Sequence, residues 1–282
     1  MPDVLLATDS NRPELWPDDL LLVEALERRG LTVAPAVWND PAVDWGSAKA
    51  VVLRSVFDYV KDRDAFCSWA DGVEAATTLL NTARTIRWNS HKGYLAQFES
   101  AGIPILPTAW LEAESAIDLA SFLEDRGWDD AVIKPSVGNG SRGALRVMSV
   151  RPDAAEAHLA SLLRNGDVMI QPYFPAAVDP GEHKLIHIAG RFSHAILENP
   201  RLDGREFNLD RIDRIDPEPE ERALAEKILS HIPDAPLYAR VDVVMDNGTA
   251  RLMELEVIEP VLFFSKAPGS ADAMAAAIAA HL

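Results

Sequence analysis

The segment that most restricts how this chain can fold lies near its end, in 238-YARVDVVMDNGTARLMELEVIEP-260. Two apolar stretches flank an Asp-Asn-Gly turn at 246–248, the pattern of an antiparallel hairpin. Charges interrupt both stretches at alternate positions: Arg240 and Asp242 before the turn, Glu254 and Glu256 after it. Successive strand residues point to opposite faces, so Glu254 and Glu256 share one face, and Asp242 belongs to the partner strand. Unpaired carboxylates on a buried face are costly or become neutral. Two solutions are open. Asp242, Glu254 and Glu256 hold a divalent cation through oxygen ligands, or they occupy a solvent-facing side of the sheet with Arg240 as their salt-bridge partner.

The rest of the chain must supply a body for that hairpin. Its 282 residues correspond to about two domains of ordinary size. Residues 4–9, 31–38 and 49–55 read as strands, separated by a helix over 18–30 that stops at Gly30 and followed by one near 62–72. With a further apolar segment at 78–80, this alternation predicts an open parallel sheet over about 1–85. No GxGxxG follows the first strand, which disfavours a dinucleotide-binding domain. From residue 89 the pattern changes. It predicts a helix ending at Gly102, a long helix over 110–127, and a strand, glycine loop and strand over 128–150. Then come a helix over 154–166, a strand at 169–174, two strands about Ala189-Gly190, a charged helix over 217–232, the hairpin, and an Ala-rich helix from 270. The fold class is α/β in front and α+β behind.

A balance of 27 basic against 44 acidic residues gives a net charge of −17. Such a field repels polyanions, so nucleic acid and anionic membrane are not expected partners. It leaves small anions open, because a local lysine or a bridging cation reverses the sign within a cleft. The single Cys67 excludes an internal disulfide framework and multi-cysteine zinc patterns. The first ten residues lack a basic stretch before a long apolar run, and no window of 18 apolar residues occurs. A cytoplasmic protein is expected.

Two further segments carry candidate chemistry. Lys134-Pro135 leads into 137-VGNGSRG-143, where Gly138, Gly140, Ser141 and Gly143 offer backbone N–H groups beside a positive charge, as a polyphosphate needs. The spacing is not that of a Walker loop, and a glycine hairpin turn with a surface lysine is the plainer alternative. In 169-MIQPYFPAAVDPGEH-183, a strand running into Pro172, Tyr173 and Phe174 forms a stiff connection suited to an adenine edge; Glu182 reaches a ribose and Lys184 a phosphate. A domain hinge with a solvent-exposed acid explains the same residues. His194, between Ser193 and Ala195, reads more readily as a satisfied polar group than as a ligand, and Phe66, Trp69 and Trp88 as core. No nucleophile-elbow pattern surrounds Ser10, Ser141 or Ser193.

The order of these features (VIKPSVGNGSRG, VMIQPYF, the Gly181-Glu182 pair, YARVDVV, LMELEVIEPVLFF) resembles the ATP-grasp superfamily. Within it, the glutathione-synthetase-like ATP-binding domain and the O-ureido-serine cyclo-ligase of cycloserine biosynthesis are most similar, and VVLRSVFDY, RWNSHKGYL and GRFSHAILENP extend the likeness over nearly the whole chain. The resemblance implies an N-terminal substrate-side domain, 1–88, before an ATP-grasp body, 89–282. That body would divide into a lid subdomain with the glycine loop, 89–170, and a C-terminal subdomain with the metal site, 171–282. It implies ATP and Mg²⁺, with Lys92 and Lys134 on the phosphates and residues 138–143 closing over them. Gln171, Tyr173 and Phe174 would form the adenine hinge, Glu182 the ribose contact, and Asp242, Glu254 and Glu256 the magnesium ligands. Arg240, Lys184 and Lys134 would act in catalysis, and Arg54, Ser55, Asp58, His194 and Arg205 would face a small amino-acid-like substrate.

The implied reaction is carboxylate activation through an acyl-phosphate followed by attack of a nitrogen, within one molecule in the cyclo-ligase. A peptide or amino-acid ligase of glutathione-synthetase type, a small-molecule kinase and a non-catalytic ATP-binding protein are the alternatives. Relatives are frequently homo-oligomers. Two departures bear on the substrate. Glu198 stands where relatives often carry a basic residue, for which Arg201 or Arg205 would substitute, and the segment after it lacks the paired glycines of many substrate loops.

Overall fold

The computed structural model describes residues 1–148, 152–198, 209, 212–246 and 248–282. Arg205, Arg201 and most of the segment expected to hold a substrate loop lie outside the described residues. Among the described residues, the strands form three sheets.

The front sheet is parallel, in the order β2 (Val33–Val37), β1 (Val4–Thr8), β3 (Ala50–Ser55), β4 (Thr78–Leu80). All five residues of β1 are buried because both faces are covered. Val4 and Leu6 pack with α1 (Leu20–Arg28) and α8 (Ser270–Ala279), whereas Leu5 and Ala7 pack with Phe66, Ala70 and Val73 of α2 (Arg63–Ala76). Gly30, at φ +77°, ends α1 in the left-handed region expected of it.

The second sheet runs β5 (Ala109–Leu111), β8 (Val168–Pro172), β6 (Asp130–Pro135), β7 (Leu145–Met148), all antiparallel. Its core lies against α5 (Leu119–Glu124) and α6 (Pro152–Leu163). The long helix expected over 110–127 does not form. Trp110 and Leu111 pair with Met169 and Val168 as an edge strand, Glu114 sits at φ +64°, and the helix begins only where the Asp118 carboxylate accepts the Ser121 N–H at 2.7 Å. An adjacent apolar pair can open a helix or sit in an edge strand, and the sequence pattern did not separate the two.

The third sheet is antiparallel, in the order β11 (Asp213–Ile215), β10 (Arg191–Glu198), β9 (Glu182–Ile188), β12 (Tyr238–Asp246), β13 (Thr249–Glu256). The β9–β10 turn falls at Ala189-Gly190, both at positive φ, as a two-residue hairpin connection requires. One face packs on α7 (Pro219–Leu229) and on α4 (Tyr94–Ser100). The expected boundary at residue 88 falls inside α3 (Ala83–Asn89), which sequence reading missed. Two buried asparagines, one on either side of this helix's body, tie front to back. Asn81 donates to the Tyr238 and Val257 carbonyls, and Asn89 donates to the Leu255 carbonyl while accepting the Val257 N–H. Among the described residues, no helix is long and apolar enough to cross a membrane.

Candidate active site

A cavity of about 360 Å³ lies between the second and third sheets and reaches loops of the front sheet. On β12, strand alternation aims Arg240 and Asp242 into it while Val241 and Val243 join the core behind. On β13 the register slips: Asp242 pairs with Glu254, but Val243 pairs with Leu252. Met253 is thus the extra residue of a bulge, which places Met253 and Glu254 together on the cavity side, followed by Glu256. The expectation of alternating carboxylates on one face holds, and the face is neither solvent nor core but a cleft.

These charges are bound to one another. Lys184 Nζ donates to Asp242 Oδ2 at 2.6 Å and to Glu182 at 3.0 Å, with Glu198 at 3.6 Å. Arg240 donates to both oxygens of Asp242, at 2.8 and 2.9 Å, and to Glu256. Lys92 Nζ bridges Glu254 at 2.5 Å and the Gly138 carbonyl at 2.7 Å. Burial opposes the charge on Lys184 and Arg240, but the adjacent carboxylates outweigh it and hold both protonated. Asp242 is likewise buried, yet Arg240 and Lys184 keep it ionised. The balance differs at Glu256, where burial, abetted by Glu254 and Asp242, wins over Arg240 and pushes the carboxyl up to about 8. Lys134, which donates to Gln171 Oε1 at 3.2 Å, is held below the ordinary lysine range by burial.

Leu106, Val132, Phe174, Val178 and Met253 give the cavity an apolar lining, with Leu106, Phe174 and Met253 in one hydrophobic cluster, of the kind an aromatic base contacts. Gln171, Tyr173 and Glu182 edge it. Arg146 stacks on the Tyr173 ring at 3.5 Å and pairs with Asp130. Gly138, Gly140 and Ser141 of the glycine loop line the cavity, with Gly140 and Ser141 at positive φ; Gly143 lies at the loop's base instead, its carbonyl 2.8 Å from His158 Nε2.

Four residues assigned to the substrate wall do not line the cavity. Arg54 is fully buried, donating to Asp19 at 2.7 and 2.9 Å and to the Pro260 carbonyl, beneath the Tyr238 ring. Ser55 donates to the same aspartate, and Asp58 accepts the Trp38 indole N–H at 2.7 Å. His194 lies 2.9 Å from the Leu262 carbonyl, and burial pushes its imidazole down to about 4, so it stays neutral. These groups hold the wall up; they are not its surface.

The wall consists of residues that sequence reasoning missed. The Arg12 guanidinium lies 5.1 Å from both the Trp16 and Phe57 rings, and all three line the cavity. Asp9 shapes their loop by accepting the Asn11 and Arg12 N–H groups. The signal was available: this loop leaves the carboxyl end of β1, where parallel sheets present ligand sites. Asn139 and Glu259 were missed as well. Asn139 Nδ2 donates to Glu259 at 2.8 Å and to the Phe57 carbonyl at 2.9 Å, and burial pushes the Glu259 carboxyl up to about 7.

Asp242, Glu254 and Glu256 are hard oxygen donors on one face, the donor chemistry a magnesium ion takes. Burial, more than the neighbouring carboxylates, holds the Glu256 proton on, and an arriving cation would favour the ionised form. With Arg240 and Lys92 engaged, no three such groups among the described residues converge on one point. The three carboxylates thus offer the ion's donor chemistry without a converged site, with Arg240 bonded to Asp242 and Glu256 and Lys92 to Glu254.

Comparison with known proteins agrees over the whole length. Residues 4–81 match the family of the D-cycloserine synthetase DcsG N-terminal domain. The cycloserine biosynthesis protein DcsG of Streptomyces lavendulae is 31% identical over 98% of both chains. The crystal structure of D-cycloserine synthetase DcsG superposes with a TM-score of 0.89 at 30% identity, covering 98% of each chain. A RimK-domain ATP-grasp protein from Sphaerobacter thermophilus superposes at 0.73 with 20% identity, over 99% of this chain and 98% of its own, which shows the fold alone. This chain belongs to the D-cycloserine synthetase family of the ATP-grasp superfamily and is an ATP-dependent ligase.

Proposed function

We propose that the chain is an intramolecular cyclo-ligase that activates the carboxylate of an O-ureido-serine-like amino acid with ATP and closes it into a ring. The observation that carries this reading is likeness to D-cycloserine synthetase that extends through both the nucleotide half and the front sheet. The mixed charge of the cavity supports it: Arg12 and Arg240 suit the carboxylate of an amino acid, and Glu198 its ammonium group.

In this reading the apolar slot beside Phe174 and Met253 takes the adenine, Glu182 the ribose, and Lys92 and Lys134 the phosphates. Asp242, Glu254 and Glu256 hold Mg²⁺, which when bound neutralises phosphate charge. Lys92 exchanges its bonds to Glu254 and Gly138 for phosphate oxygens. Arg240 orients the reacting carboxylate beside the phosphates and balances the charge that develops. A carboxylate oxygen attacks the γ-phosphorus, the bond to the β–γ bridging oxygen breaks, and ADP leaves. A nitrogen of the same molecule then attacks the acyl carbon; the C–N bond forms, the C–O bond to phosphate breaks, and the nitrogen loses a proton. The glycine loop excludes water, which would otherwise take the nitrogen's place.

The test is an ADP-release screen over amino acids and ureido- and aminooxy-serine analogues, with mass spectrometry of the products. A ring from a single substrate molecule is expected. Turnover that needs a second amine makes the chain an intermolecular ligase, and a stable phosphorylated product makes it a kinase.

A further inference from the structure

The glycine loop is tied down at two adjacent residues, and the two ties differ in kind. Gly138 is held through its carbonyl by Lys92, which also bridges Glu254. Asn139 is held through its amide, which donates at once to the Phe57 carbonyl in the front loops and to Glu259 just beyond β13. The first tie uses a group that phosphate claims: a lysine that turns to a nucleotide releases Gly138 and Glu254. The second uses no group assigned to nucleotide or metal, so it survives when the site is loaded. Glu259 is only 5% exposed, and the bond from Asn139 compensates its burial. Phe57 is also part of the wall, its ring packed edge-on against Trp16 at 6.1 Å with Arg12 over both. One amide thus joins the loop over the phosphates to the surface that faces the substrate.

We propose that Asn139, bridging Phe57 and Glu259, is the latch that keeps the loop shut over the activated carboxylate and so couples ATP cleavage to bond formation. It is a positioning residue, and the proposal rests on the ligase reading above. Without the latch, water attacks the acyl carbon in place of nitrogen, the C–O bond to phosphate breaks, and the substrate carboxylate is regenerated. ADP and phosphate then accumulate with no product.

The test measures ADP and cyclised product together, with Mg-ATP and O-ureido-serine, in the wild type, Asn139→Ala and Glu259→Gln. Asn139→Ala is expected to release roughly threefold or more ADP per product, with KM for ATP within about twofold of wild type. Glu259→Gln keeps an acceptor oxygen and should hold the ratio near wild type. An unchanged ratio in Asn139→Ala, or uncoupling in Glu259→Gln as large as in Asn139→Ala, overturns the latch. If the wild type makes no product, it is the ligase reading that has failed, and hydrogen exchange of residues 137–143 in the presence of Mg-AMP-PNP still reads the latch. Exchange about tenfold faster in Asn139→Ala supports it, and equal exchange overturns it.

Discussion

Two clusters of buried charge sit a few strands apart and do opposite work. Around Arg54 the charges pair one to one, a guanidinium and an aspartate joined by the Ser55 hydroxyl and the Pro260 carbonyl and sealed under Tyr238 and Phe264, although Arg54 Nη1 has no hydrogen-bond partner and burial raises the Asp19 carboxyl. Around Arg240 and Lys184 the cluster stays open. Those cations meet Asp242, Glu182, Glu198 and Glu256 on the wall of a cavity, and Glu256 is left with its carboxyl pushed up to about 8. A charge pair sealed in the core holds the fold, whereas a charge cluster that opens on a cavity can take a ligand.

The sharpest way to break this comparison is to remove one member from each. Arg54→Met strands Asp19 in the core and should cost about 3–5 kcal/mol of stability, read by denaturant unfolding. If Arg54→Met remains stable but loses activity, Arg54 belongs to the site after all. Glu256→Ala should do the reverse, leaving the unfolding midpoint within a few degrees while kcat falls roughly 100-fold or more. A fully active Glu256→Ala enzyme removes the metal assignment. Lys134→Ala is expected to weaken ATP binding with little change in stability, as titrated by calorimetry; unchanged affinity takes Lys134 out of the phosphate site.

A smaller effect concerns two buried groups outside both clusters, Glu259 and His194. Burial raises Glu259 from 4.5 to about 7, so between these values the folded chain keeps a proton that the unfolded chain has released. Its contribution to stability is complete below pH 4.5 and is lost as pH rises through 7. Across that range the wild type should therefore lose stability relative to Glu259→Gln; parallel curves would contradict the burial of this carboxyl. His194 has the opposite sign. Burial lowers it from 6.5 to about 4, so its contribution is present above 6.5 and is lost as pH falls through 4.

The strand-borne side of the cavity was legible in the sequence because period 2 converts spacing into a shared face. Asp242, Glu254 and Glu256 came together in that way, although the bulge at Met253 was not foreseen. The substrate wall was not legible. Arg54 and Ser55 end a strand of the front sheet, as site residues often do, but nothing in their spacing reveals that Asp19 lies 2.7 Å away. Arg12, Trp16, Phe57 and Asn139 belong to loops, and their meeting depends on three chain segments arriving at one place. The false helix over 110–127 failed for a related reason, since an edge strand is defined by its partner, here β8.

The central claim is that the open cluster brings ATP against a substrate carboxylate. It is tested most directly by following the oxygen that moves. With a substrate carrying heavy oxygen in its carboxylate, attack on the γ-phosphorus and later loss of phosphate from the acyl carbon carry one labelled oxygen into inorganic phosphate. The account predicts one such oxygen in the phosphate for every ring formed. Phosphate free of the label during product formation would contradict it.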